Sequence, residues 1–166
     1  MVNSEYDIRL LTEDDEADIQ DLCERCSDFS ELVEGRTPEK GAGHNILFDL
    51  PPGKEMKDKY VLGVYKENIM VAVIDIVKDY VLHGEWIIGL LMIDPGERGK
   101  GLGRKLHALI KARIMEERGK LLRIGVVEEN HRGYNFWREM GYVEANRQKN
   151  TYGTKEHTVI VMNLVI

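Results

Sequence analysis

The order of patterned segments predicts an α/β (α+β) fold, a mixed β-sheet with helices packed against it. Strand-like runs at 60–65, 69–77 and 86–93 follow one another with no helical pattern between them. Strand–helix units follow at 86–118 and 121–140, and strand patterns at 142–144 and 158–164 close the chain. Consecutive strands beside strand–helix units require a sheet that is neither wholly parallel nor wholly antiparallel. A length of 166 residues fits one domain spanning 1–166.

Tyr6, Ile8 and Leu10 alternate with Asp7 and Arg9, a strand period. Thr12 followed by Asp15 is a helix-start signature, and the stripe Ile19, Leu22, Cys23, Cys26 carries the helix to about Ser27. Short helical turns fit 29–34. From there the chain reads as irregular through Thr37-Pro38 and Pro51-Pro52-Gly53, and a long irregular stretch in a small domain often carries function. Glu67-Asn68 is a tight turn between the next two strands. Trp86 opens an almost wholly apolar run, expected of a strand buried on both faces. Apolar residues at 102, 106, 109, 110 and 114 have helical spacing, with Gly119 as the expected stop. A strand at 121–127 leads to a short helix at 132–140 that ends at Gly141.

Composition narrows the function classes. The chain is 43% hydrophobic and 31% charged, enough for a core and a solvated surface. No apolar run reaches the ~18 residues of a membrane span. Residues 1–10 carry acids and lack the apolar core of a secretion signal. A net charge of −6 argues against bulk nucleic-acid binding. The expectation is a cytoplasmic protein with no membrane or nucleic-acid partner.

Cys23 and Cys26 form a Cys-Glu-Arg-Cys pattern. A redox pair of this kind should follow a strand and open a helix, where the dipole lowers the thiol pKa. Here it lies inside a helical stripe, which favours core packing over redox chemistry. No second pair completes a zinc set, and His44, His131 and His157 show no ligand spacing, so no metal is expected.

The chemistry concentrates at 94–104, Asp-Pro-Gly-Glu-Arg-Gly-Lys-Gly-Leu-Gly-Arg, between a strand and a helix. Gly99, Gly101 and Gly103 allow close backbone approach and unusual dihedrals. The first N–H groups of the following helix lack internal partners and suit a phosphate. Arg98, Lys100, Arg104 and Lys105 add positive charge within an acidic protein, which points to an anionic ligand. A flexible turn with solvated charges would show the same composition. No Gly-Lys-Ser/Thr follows, so it is not a Walker loop, and the glycine spacing does not fit a dinucleotide fingerprint.

Arg98, Gly101 and Gly103 match in register the signature Arg/Gln-x-x-Gly-x-Gly/Ala, and 91–95 reads as the strand leading into it. About 30 residues downstream, Asn130, Gly133, Phe136-Trp137 and Gly141-Tyr142 match a second block. With these blocks the chain resembles the GNAT N-acetyltransferase superfamily over nearly its whole length. The resemblance implies a single GNAT domain, a central sheet of about six or seven strands, and a fourth strand splayed from the fifth. It implies acetyl-CoA as cosubstrate, with pantetheine along the backbone of Leu91, Met92 and Ile93. The pyrophosphate would lie on the N–H groups of Arg98, Gly99, Lys100, Gly101, Leu102, Gly103 and Arg104. Asn130 would help hold the pantetheine arm; it also stands where a helix cap belongs. A homodimer is an assembly the family allows, and no residue pattern fixes it.

The implied reaction moves an acetyl group to a primary amine of a small molecule or protein by direct attack in a ternary complex. Transfer of another acyl group, and a non-catalytic CoA-binding or sensing domain, remain open alternatives. The amine must lose a proton, and the departing thiolate must gain one. Some relatives carry a Glu base where this chain has Ile87. Glu85 lies two residues earlier on the same strand face and is the candidate base, with His83 a lesser one. Many relatives place a Tyr acid where this chain has Trp137. Tyr134, three residues earlier on the helix, is the candidate acid. His107 reads as packing or surface. The acceptor wall is expected from 28–57 and 79–85, whose acids Asp28, Glu31, Glu34, Asp49 and Glu85 would favour a cationic amine.

Overall fold

The computed structural model describes residues 5–166. The part of the leading-segment reading that rests on residues 1–4 lies outside the described residues. Strands β1 (Asp7–Leu10), β2 (Lys59–Lys66), β3 (Ile69–Val77), β4 (Glu85–Ile93), β5 (Leu121–Val127), β6 (Val143–Tyr152) and β7 (Lys155–Val165) form one seven-stranded sheet. Its order is β1-β2-β3-β4-β5-β7-β6. Among the described residues only the β4–β5 pair is parallel, so the sheet is mixed, as expected. The helices are α1 (Glu16–Arg25), α2 (Ser27–Glu34), α3 (Ala42–Phe48), α4 (Leu102–Glu116) and α5 (His131–Glu139).

The period-2 pattern of the strands divides the apolar residues between two layers. On one face, Ile74, Ile76, Trp86, Ile88, Leu122, Ile124 and Met162 pack under Leu102, Leu106, Ile110 and Ile114 of α4 and Trp137 of α5. On the other, Val61, Tyr65, Val73 and Met92 pack under Ile19, Leu22 and Cys23 of α1, Cys26, and Leu47 of α3. Local signals agree with this frame. The Thr12 hydroxyl accepts from Asp14 N, and Asp15 returns a bond to Thr12 N, a complete capping box. Glu67 and Asn68 both have positive φ (52° and 65°), the twist a two-residue hairpin turn needs.

Several expectations are corrected. The first helix ends at Arg25, and Cys26 (φ −99°, ψ 31°) breaks it from α2. The stretch read as irregular contains both α2 and α3. Glycines mask α3 in the sequence, yet Gly43 is there for contact: a Cβ would stand 2.7 Å from Glu16 O and 2.8 Å from Gln20 N of α1. Close helix approach outweighs poor helix propensity here. β6 is ten residues long rather than a stub at 142–144; its sequence is polar and nearly all exposed, which suits an edge strand. The left-handed residue after α4 is Arg118 (φ 63°), not Gly119. Gly119 is small for packing, since a Cβ would sit 2.2 Å from Ile114 Cγ2. Finally, β4 is not buried on both faces: Gly89 is exposed and Ile87, Leu90, Leu91 and Ile93 are half-buried, because β5 leaves its side.

Candidate active site

β4 and β5 pair only at Glu85–Leu121, Trp86–Leu122 and Ile87–Arg123. Beyond that, 88–93 and 124–127 diverge, while β5 stays paired with β7 along its whole length. The sheet therefore opens into a wedge lined by backbone edges. Such edges need partners, and a ligand with amide groups can supply them. Opposite the vertex, β3 pairs Ile76 with Ile88 and Asp75 with Leu90, which leaves Gly89 as an extra, bulged residue.

The wedge opens toward the glycine loop. Gly99 (φ 76°) and Gly101 (φ 84°) are left-handed, and a Cβ on either would meet no protein atom within 4 Å. Their conformation faces open space. Gly101 is the N-cap of α4 and supplies no side-chain bond, so the first N–H groups of this 15-residue helix stay available. Lys100, Arg104 and Lys105 are exposed around it. An anionic, elongated ligand with a pyrophosphate and a peptide-like arm fits this combination. Gly103 serves packing instead: a Cβ would lie 3.1 Å from Phe136 of α5 and 3.3 Å from Ile93.

The predicted cofactor residues split into groups. Leu91, Met92 and Ile93 line the wedge edge on β4, but Ile93 O already accepts from Arg98 Nε (2.9 Å) and Cys26 Sγ (3.5 Å). The Arg98 guanidinium turns away from the loop and pairs with Asp28 (2.6 and 3.2 Å), which lowers the Asp28 pKa. Gly99, Lys100, Gly101 and Leu102 form the loop and helix start. Arg104 reaches Glu139 at 3.3 Å on the surface. Asn130 caps α5, its Oδ1 accepting from Gly133 N at 2.9 Å.

Residues that sequence reasoning did not single out hold the loop in place. Arg25 joins Asp94 and donates to Met70 O (2.7 Å), and Asp94 accepts from Gly96 N (2.7 Å). Glu97, buried, accepts from Tyr6 Oη (2.7 Å) and Lys66 Nζ (3.0 Å), and these partners lower its pKa. Asp before Pro-Gly was the one available signal, a turn-forming Asx.

The candidate catalytic groups stand differently. Glu85 is paired with Arg123 at 3.0 Å near the wedge vertex, so it is not a free carboxylate. His83 lies out in solvent beside Asp79 (3.3 Å). Tyr134 is half-buried on α5, with the Arg138 guanidinium 5.9 Å from its ring centre. Trp137 is buried among His107, Phe136 and Tyr142, ring centres 6.0, 4.9 and 5.2 Å away. His107 bonds Tyr142 Oη at 2.9 Å, and burial pushes its pKa down to about 4. Burial likewise raises the Cys23 thiol to about 11, which places the cysteine pair in the core as inert thiols.

On the α1–α3 face, α2 is clasped by the β6–β7 turn, which the expected acceptor wall did not include. Thr154 N donates to Glu34 O (2.9 Å) and His157 Nε2 lies 2.7 Å from Val33 O. Of the acids expected to draw a cation, Asp28, Glu34 and Glu85 are ion-paired. A further pair lies beneath the turn after α3. Lys59 Nζ, almost wholly buried, stands 3.1 Å from Asp75 Oδ1 and donates to Asp49 O at 2.6 Å. Asp75 Oδ1 is sealed from solvent and lacks a properly oriented hydrogen bond. The lone acid in the apolar run IMVAVIDIV was a visible irregularity. Among the described residues, no group of three or more His, Cys, Asp or Glu could hold a metal, and no helix is long and apolar enough to cross a membrane.

Solved structures share this fold. The ribosomal-protein-S18-alanine N-acetyltransferase of Escherichia coli superposes with a TM-score of 0.73 at 17% identity, over 97% of this chain and 94% of that one. An acetyltransferase from Thermus thermophilus gives 0.74 at 18% identity, over 97% of each chain. The PaiA N-acetyltransferase of Thermoplasma acidophilum, in complex with coenzyme A, gives 0.70 at 15% identity, over 97% of this chain and 99% of that one. No curated protein matches the chain in sequence. The sequence model of the acetyltransferase (GNAT) family matches residues 25–142, across the wedge, the loop and the second block. This chain belongs to the GNAT acetyltransferase family.

Proposed function

We propose that the protein transfers an acetyl group from acetyl-CoA to a primary amine, by direct attack within a ternary complex. The observation that carries this reading is the wedge between β4 and β5, open at one end onto the left-handed glycines and bare helix start of α4. Bound there, acetyl-CoA supplies an activated thioester. In this reading Leu91, Met92 and Ile93 hold the pantetheine arm by backbone, and residues 98–104 hold the pyrophosphate. Asn130 fixes the start of α5 beside the arm. Backbone N–H groups of the splayed β4 strand, at the Gly89 bulge, are in this reading the donors for the carbonyl oxygen as it gains negative charge. No covalent enzyme intermediate is required, and the buried Cys23 and Cys26 take no part.

Tyr134 is the hydroxyl nearest in sequence to Trp137 on the same helix. In this reading it protonates the leaving sulfur. Tyr134→Phe then lowers turnover by roughly 10²-fold with CoA affinity unchanged; near-normal turnover assigns that proton to solvent. The function itself is tested by thiol release from acetyl-CoA, propionyl-CoA and succinyl-CoA with a panel of amines. Turnover with acetyl-CoA and a primary amine is expected. Preference for another acyl group corrects the donor. CoA binding without turnover on any amine would instead support a sensing domain, a reading to which Ile87 and Trp137 lend weight because they stand where some relatives carry a Glu base and many a Tyr acid. No CoA binding would remove both readings.

A further inference from the structure

On the acetyltransferase reading an acceptor must be deprotonated close to the β4 bulge, and Ile87, the β4 residue on that face, has no group to do it. The neighbouring strand offers one. Asp75 of β3 lies across from the bulge, and its Oδ2 is 3.1 Å from where a Cβ on Gly89 would stand. The missing side chain at 89 is what leaves the carboxylate room over β4. Oδ1 is buried toward Lys59, and the side chain keeps 18% exposure, so Oδ2 is the oxygen a ligand can reach. Lys59 is fixed in turn by Asp49 O.

We propose that Asp75 binds the acceptor's cationic ammonium group through Oδ2 and takes its proton. Glu85 cannot serve as well, since Arg123 holds it. The charged groups facing Asp75 are Lys59 from β2 and Asp49 from the turn after α3; β4 contributes only Gly89. Desolvation raises the Asp75 pKa, with Asp49 adding to the rise and Lys59 opposing it. The carboxylate thereby becomes a stronger base than an exposed Asp, with the Lys59 ammonium favouring its charged form. The step balances. The ammonium gives one proton to Oδ2, and the freed lone pair forms the C–N bond. The C–S bond breaks with its electrons to sulfur. Tyr134 gives its proton to that sulfur and recovers one as the nitrogen loses its second proton, giving the amide and free CoA, and Asp75 returns its proton to solvent.

The test uses the full chain with CoA or acetyl-CoA, and n-butylamine, spermidine and a peptide with a free N-terminal alanine as probes. Asp75→Asn lowers turnover of whichever probe is accepted by about 10²-fold or more, with calorimetric CoA affinity unchanged. Because the single variant leaves Lys59 buried without its partner, Lys59→Met/Asp75→Asn is made beside it, with no unpaired charge. It should fold and lose turnover equally. A second readout needs no activity. With 13C-labelled aspartate carboxyls, at least one probe should shift the Asp75 resonance saturably in the CoA-bound wild type. A wild type that turns over no probe counts against the acetyltransferase reading, and the resonance still decides Asp75. A folded double variant with wild-type turnover, or an Asp75 resonance that none of the probes moves, overturns the proposal.

Discussion

The two faces of the sheet are built from different materials. The core under α4 and α5 is apolar apart from His107 against Tyr142, with Lys66–Glu97 and Lys78–Glu117 paired at its margins. The face under α1–α3 carries Lys59–Asp75, Glu85–Arg123 and Arg98–Asp28, with His157 against Glu129 nearby. Buried or half-buried ion pairs contribute little net stability, because desolvation offsets their attraction. Hydrophobic burial contributes far more per residue. One face thus holds the fold together, and the other gives part of its area to groups that a reaction can use. The wedge is a gap in the sheet itself, walled by the edges of β4 and β5, and it opens onto both faces.

The largest expected effect falls at the open end of the wedge. Gly101→Val puts a β-branched residue at φ 84° in the open loop. It should abolish CoA binding in calorimetry while circular dichroism stays native. Unchanged affinity would reduce the loop to a turn and detach both faces from the cosubstrate.

The apolar face is probed by Leu106→Ala. Leu106 is fully buried, and its truncation should cost about 2–5 kcal/mol of unfolding free energy, read by denaturant titration. A cost near that of a surface pair would contradict the division between the faces.

His107 adds a pH signature to the same face. Its folded pKa is about 4, below the ordinary value of 6.5, because burial penalises the cation. Between these values the unfolded chain binds a proton that the folded chain does not. Stability should therefore fall as pH drops from about 6.5 to about 4, by on the order of 3 kcal/mol from this residue. His107→Gln should flatten that slope, and a wild-type curve level across the window would show the ring to be solvated.

The smallest effect is expected on the ion-paired face. Asp28→Asn removes the partner of Arg98 on a largely exposed side chain. It should cost at most about 1 kcal/mol in stability. Its mark should be weaker CoA binding, since Arg98 is then free to leave the Ile93 carbonyl at the root of the loop. A large loss of stability with unchanged CoA affinity would assign the pair to the core.

The apolar face is also the more legible one. Helical spacing locates α4, where Leu102, Leu106, Ile110 and Ile114 repeat over a long run, and the apolar runs at 86–93 and 121–127 locate β4 and β5. The glycine loop stands out because left-handed backbone and close approach demand a particular residue type. The other face hides its organisation. α3 begins among glycines whose role is contact with α1, and β6 is polar because it lies at an edge. The pairs of Asp28 with Arg98 and Lys59 with Asp75 join residues 70 and 16 positions apart, and no local pattern announces such a contact. Strand alternation puts Glu85 on the same face as Ile87; its capture by Arg123 belongs to the three-residue contact at the wedge vertex.

CoA seated in the wedge would touch the edge of β4, the glycine loop and the start of α5. Amide hydrogen exchange with and without CoA tests it most directly. Protection should appear at 88–93 on β4, at 98–104 in the loop and start of α4, and around Asn130, with β1 and the β2–β3 turn unchanged. Exchange unaltered in those segments, or protection confined to another surface such as the groove between β1, β2 and α4, would contradict it.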